Sequence, residues 1–265
     1  MMLGGAFQIA RIRGIPIRVH FTLLLCLPVF AMQLADADGG WLALGWGLLA
    51  ALGLFLSVAL HELGHSFVSR TKGSPVLDIL LLPIGGVAQM ARLPERPRDE
   101  FQIALAGPLV SLALSGLGCW GLAPWAHFAG QKHLEALFAL VGNINLTLAL
   151  FNLLPSFPMD GGRIVRAWLT PKLGRLLATR IAAALGKFIA VLFGLVGLWP
   201  PLNILLLAIA FFIYSAAGAE YQMVLREEMA RPRPFPFGPG FPPPQETSQL
   251  AQDDVTVSPP PYRRE

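Results

Sequence analysis

The stretch "ALHELGHSFV", residues 59–68, places two histidines four positions apart, with a glutamate directly after the first. On a helix His61 and His65 share one face about one turn from each other. Both imidazoles then reach one metal ion at ~2.0–2.1 Å, the distance at which zinc takes nitrogen ligands. Glu62 is rotated by about 100° from His61. There a carboxylate can act as a general base beside the metal without ligating it. These residue types at this spacing point to zinc-assisted hydrolysis.

The setting is unusual for such groups. The run from Trp41 to Leu60 contains no Asp, Glu, Lys or Arg, and a charge at the centre of a bilayer helix costs roughly 2.5–3.5 kcal/mol. Neutral imidazoles around a cation, with a glutamate beside them, compensate one another if neighbouring helices wall them off from lipid. Leu60, Leu63 and Phe67 supply apolar neighbours, and Gly64 and Ser66 keep the face narrow. At ~1.5 Å per residue His61 lies about 30 Å along the helix from Trp41, near the cytoplasmic boundary. Arg70 and Lys72 follow at the depth of head-group anchors.

A catalytic zinc takes three protein ligands and leaves a position open, so a third ligand must come from elsewhere. Of the other histidines, His127 and His133 fall on the far side of the membrane in the topology drawn below, and His20 opens the first span on the near side. Asp160 is the better candidate. It lies in "FNLLPSFPMDGGR", where Pro155 and Pro158 end a span and the glycines allow a sharp turn. By itself this aspartate reads equally as an Asp-Gly turn or as the N-cap of a helix starting near Arg163.

The elements that must hold these residues are membrane spans. The chain of 265 residues is 54% hydrophobic and 14% charged, with a mean hydropathy of +0.58. A soluble domain would carry roughly 25% charge. Apolar stretches at 19–35, 41–69, 101–122, 134–154, 181–199 and 202–219 predict an all-α polytopic protein with six spans. All basic residues except Lys132 and Lys187 then fall on one side, which places both termini in the cytoplasm. The net charge of +4 does not predict nucleic-acid binding, because the basic residues are scattered over several loops. Cys26 and Cys119 sit inside apolar segments and suggest no disulfide framework.

The organisation expected is a cytoplasmic segment at 1–18, a transmembrane domain at 19–220 and a tail at 221–265. From Arg231 the chain is proline-rich and poor in aliphatic residues, the composition of a disordered tail, with "FPPP" and "SPPP" as possible polyproline docking segments. The N-terminus also resembles a secretory signal ending at Ala35-Asp36-Ala37. Its apolar run and leading segment are long for one, so the first span is read as retained.

Four segments together, "HELGH" at 61–65, "LLPIGGVAQM" at 81–90, "ALAGPLVSL" at 104–112 and "FNLLPSFPMDGG" at 151–162, resemble the site-2 protease family of intramembrane zinc metalloproteases. The likeness extends over about residues 10–220. It implies one Zn2+ per chain held by His61, His65 and Asp160, with Glu62 as the general base. It implies that Asn152 faces the site as a substrate or oxyanion contact. It also implies that a membrane-associated loop or hairpin near 76–90, with Gly85 and Gly86, pairs with an extended substrate. Met159 stands where the family more usually has leucine, and Ser111 where it often has asparagine. No PDZ-like or nucleotide-binding module is visible in the sequence.

The resemblance further implies a multi-pass protein of a bacterial inner membrane, with the lipid bilayer and a single-span membrane protein, already shortened by another protease, as partners. Its oligomeric state is open. A membrane metal-ion carrier is the rival from another class, and it expects polar groups continuing to the far face, where the spans offer few. A catalytically silent binder of membrane segments would not need Glu62. A prenyl-peptide-processing zinc protease would not need the 151–162 segment.

Overall fold

In the computed structural model, residues 5–35, 40–91, 94 and 96–230 are described. The disordered-tail and polyproline expectations for 231–265 lie outside them. Two strands open the chain, β1 (Ala6–Ile12) and β2 (Ile15–His20), followed by helices α1 (Phe21–Leu34) and α2 (Gly40–Thr71). A second hairpin, β3 (Val76–Leu82) and β4 (Gly85–Met90), leads to α3 (Pro97–Gly116). A π-helical segment at Leu117–Leu122 joins α3 to α4 (Ala123–Phe128), and then come α5 (Lys132–Asn152), α6 (Asp160–Leu173), α7 (Arg175–Leu198) and α8 (Ile204–Ala230).

Among the described residues, five helical segments are long and apolar enough to cross a membrane: 40–71, 97–128, 132–152, 175–198 and 204–230. The first of the six expected spans differs. It forms a helix of 14 residues, about 21 Å at 1.5 Å per residue, short of a hydrocarbon core of ~30 Å. The helix starts late because residues 15–20 are taken by β2. His20 caps its first turn, with its Nδ1 2.7 Å from the Thr22 hydroxyl and accepting from the Thr22 amide at 3.4 Å. The boundary expected at residue 220 falls inside α8, which continues to Ala230.

An all-α chain was expected, yet the four strands form one sheet in the order β1-β2-β3-β4. The outer pairs are antiparallel and the central β2–β3 pair is parallel, with Ile17 opposite Ile79 and Val19 opposite Leu81. The physical reason is alternation. In "IPIRVH" Ile15, Ile17 and Val19 are buried while Pro16, Arg18 and His20 are less so, the period-two pattern of a half-buried strand. That apolar face packs with Phe55, Val58, Ala59 and Leu63 of α2. Helix α2 therefore carries the sheet on one side while meeting α1, α3 and α5 on others. The expected hairpin near 76–90 is present as β3–β4.

Candidate metal centre

Helix α2 delivers His61, Glu62 and His65, and the start of α6 delivers Asp160. The sequence separates these groups by about a hundred positions, and the fold closes the gap. The His61 and His65 Nε2 atoms are 3.1 Å apart. Asp160 Oδ2 lies 3.2 Å from the first and 3.1 Å from the second. All three residues are buried, and among the described residues they are the group of His, Cys, Asp and Glu side chains able to share a metal ion.

The donor set can be tested against a metal by asking where each proton sits. His65 Nδ1 is 2.7 Å from the carbonyl oxygen of Ile103, which can only accept, so this nitrogen carries the proton and a neutral ring presents a bare Nε2. His61 Nδ1 is 2.9 Å from the Ser111 hydroxyl, and the same tautomer follows when that oxygen accepts. Three lone pairs then face one another. Edges of 3.1–3.2 Å come close to the roughly 3.3 Å edge of a tetrahedron with ligands at ~2.05 Å. Two imidazoles and a carboxylate fit zinc in number, type and spacing.

Helix α3 is the frame for both rings. Ile103, Gly107 and Ser111 recur every four residues and so share one face of it. Gly107 lies beneath the rings. A Cβ there would collide with His65 Nε2 and stand 2.7 Å from His61 Nε2, so a side chain of any kind would occupy the centre. The segment "ALAGPLVSL" thus supplies close approach at Gly107 and a hydroxyl at Ser111. Sequence reasoning left the role of Ser111 unassigned and missed Ile103, whose contribution is a backbone oxygen. The four-residue spacing was the available signal.

Glu62 is outside the ligand triangle and lies against β4 at Gly86. A Cβ on Gly86 would come within 2.6 Å of Glu62 Cγ and 3.0 Å of Val58 Cγ1, so the hairpin reaches α2 because position 86 has no side chain. Gly85 has φ +136° with open space around it, a conformation available to glycine. Asn152 ends α5 and its amide donates to Leu148 of the same helix at 3.0 Å. His127 pairs with Glu135 at 3.0 Å and His133 stacks on Trp46. Neither belongs to the cluster, and neither does His20.

Comparison with known proteins agrees with this geometry. Residues 49–127 and 126–196 match peptidase family M50. A zinc metalloprotease of Methanocaldococcus jannaschii is 41% identical over 219 residues, which cover 83% of this chain and 61% of that protein. A Synechocystis sp. protein described as a candidate zinc metalloprotease is 33% identical over 295 aligned positions, covering 100% of this chain and 75% of the relative. Among solved structures, the site-2 protease from Methanocaldococcus jannaschii aligns with a TM-score of 0.57 and 38% identity, over 82% of this chain and 95% of that one. The chain spans about three-fifths of the length of the first of these relatives. With a family match over more than half of its length and a zinc-compatible cluster at its centre, the chain belongs to peptidase family M50, the site-2 protease family.

Proposed function

We propose that this chain is a zinc-dependent endopeptidase that hydrolyses a peptide bond within or near the membrane-spanning segment of a single-span protein. The observation that carries the reading is the buried triangle of His61, His65 and Asp160 with Glu62 next to it on the same helix. Zinc at this site would supply Lewis-acid polarisation of a carbonyl and make water acidic enough to react at neutral pH. His61, His65 and Asp160 hold it. Glu62 accepts a proton from the attacking water and returns one to the leaving amine. Gly107 keeps the space under the rings free of side-chain atoms.

A helical peptide bond is shielded by its own hydrogen bonds, so the substrate must unwind locally before attack. Strand β4 is an edge of the sheet and lies over Glu62, which suits it to offer backbone partners to an extended segment. Gly85 and Gly86 keep this edge open beside the catalytic glutamate, and Asn152, at the end of the helix before Asp160, is assigned to substrate contact. In the membrane, α1 serves as a short sixth crossing whose mismatch is taken up by local thinning. Both termini then lie on the cytoplasmic side of a bacterial inner membrane, in keeping with the basic loops.

The test uses purified protein in detergent. Metal content is measured, and cleavage of a tethered single-span substrate is compared between wild type and Glu62→Gln. The expected result is one zinc bound by both and cleavage lowered by about 10²–10⁴-fold in the variant. Equal cleavage by the two proteins would remove the enzyme reading.

A further inference from the structure

Arg166, on α6, is 1% exposed. Its Nε lies 2.8 Å from Glu100 Oε1, and a terminal nitrogen bonds the same oxygen. The other terminal nitrogen lies 2.8 Å from Glu220 Oε1 of α8. The guanidinium carbon sits 4.9 Å from the centre of the Phe157 ring, within cation–π range. Burial would lower the pKa of this group, but Glu100 and Glu220 outweigh it and hold the guanidinium firmly charged.

The partners of Arg166 converge on the metal centre from two directions. Glu100 is on α3, one turn before Ile103, whose carbonyl orients His65, and on the helix whose Ser111 orients His61. Phe157 is in the segment that feeds into Asp160, and Arg166 itself lies six residues past Asp160 on the same helix. One cation therefore joins the helix that brings the third ligand to the helix that orients the first two. We propose that Arg166 is a positioning residue of the metal site, and that its contacts with Glu100 and Phe157 set the depth and rotation at which Asp160 meets His61 and His65.

Adhesion alone does not account for the arrangement. Apolar residues of similar volume commonly hold two helices as well as a buried ion pair does, or better. What a planar guanidinium adds is direction, since its donors leave in a fixed fork. Direction matters here because ligand distances must be met to within about 0.2 Å. Glu220 adds a second carboxylate from α8, a helix that carries none of the three ligands.

The proposal rests on the reading that the cluster holds zinc, and cobalt serves as the probe because its d–d absorption reports ligand geometry. Wild type, Arg166→Lys, Glu100→Gln, Glu220→Gln and Asp160→Ala are purified in detergent, and their folding is checked by circular dichroism. Each is loaded with Co2+, and the spectrum and the chelator concentration that removes half of the metal are recorded. Glu100→Gln leaves Arg166 one carboxylate and Arg166→Lys keeps the charge, so either variant can carry the test if the other fails to fold.

The expected result is a shifted d–d spectrum and about 10-fold easier metal removal, the lower end of effects from groups behind a ligand, in Arg166→Lys and Glu100→Gln. Glu220→Gln is expected to match wild type. Wild-type spectra and retention in Arg166→Lys and Glu100→Gln would overturn the proposal, as would an equal loss in Glu220→Gln, which would mark the ion cluster as general scaffolding. A wild type that takes up no cobalt and behaves as Asp160→Ala does would overturn the zinc-site reading itself. That outcome is distinct from a loaded wild type with unaffected Arg166 and Glu100 variants.

Discussion

Ser111 is small, yet it decides how His61 presents itself. Its oxygen lies 2.9 Å from His61 Nδ1 and it is fully buried. Without it, that nitrogen loses its partner in a place water does not reach. Removing such a hydrogen bond behind a metal ligand typically costs about 10–100-fold in metal affinity. Ser111→Ala is therefore expected to release metal at correspondingly lower chelator concentration while remaining folded, as read by metal analysis after dialysis. His61, Glu62 and His65 were legible in the sequence because helical spacing alone brings them to one turn. Asp160 was legible only as one of several readings, since an Asp before two glycines also fits a turn. Ser111 and Ile103 were not legible as orienters, because their contribution depends on which helix lies behind the rings.

At the scale of elements, the hairpin β3–β4 and helix α2 work as a pair. Their distance is set at Gly86, where any side chain would overlap Glu62 Cγ and Val58. Gly86→Val is expected to push β4 away from Glu62 and lower cleavage at least about 10-fold, as overpacking of a close contact forces shifts in both partners. Metal content should be unchanged, because the three ligands come from α2 and α6, the rings are oriented from α3, and the hairpin contributes none of these groups. A rate assay paired with metal analysis separates the two effects. The hairpin near 76–90 was anticipated, but β1 and β2 were not. The alternation in "IPIRVH" is present in the sequence, but it abuts an apolar run that reads as a span. Tertiary pairing with β3 resolved the ambiguity.

For the whole molecule, metal binding and folding should be linked, since the ligands come from α2 and α6 and bind as a set only when the bundle is assembled. A ligand at 100 times its dissociation constant adds about 2.7 kcal/mol to stability. Zinc is expected to raise the melting temperature of chelator-treated wild type, with no rise in Asp160→Ala, as measured by a thermal shift assay in detergent. The topology makes a separate prediction. With Cys26 and Cys119 replaced, a cysteine at exposed Gln131 should react with an impermeant reagent added outside the membrane, and one at exposed Thr71 only after permeabilisation. The opposite pattern would invert the orientation drawn from the basic loops.

The sequence by itself determined the membrane character, the approximate extent of five helices long and apolar enough to cross a bilayer, and the identity of the histidine pair with its glutamate. All of these are local properties, written either in runs of apolar residues or within a single helical turn. Tertiary structure alone decided which distant groups complete the site: that Asp160 closes the triangle, that the α3 face at Ile103, Gly107 and Ser111 lies behind the rings, and that Arg166 ties α6 to α3. The physical reason is that spacing along one helix fixes direction without long-range contacts. A meeting between helices about a hundred residues apart depends on how whole faces pack, and small, buried or backbone groups leave little trace of that in a single chain.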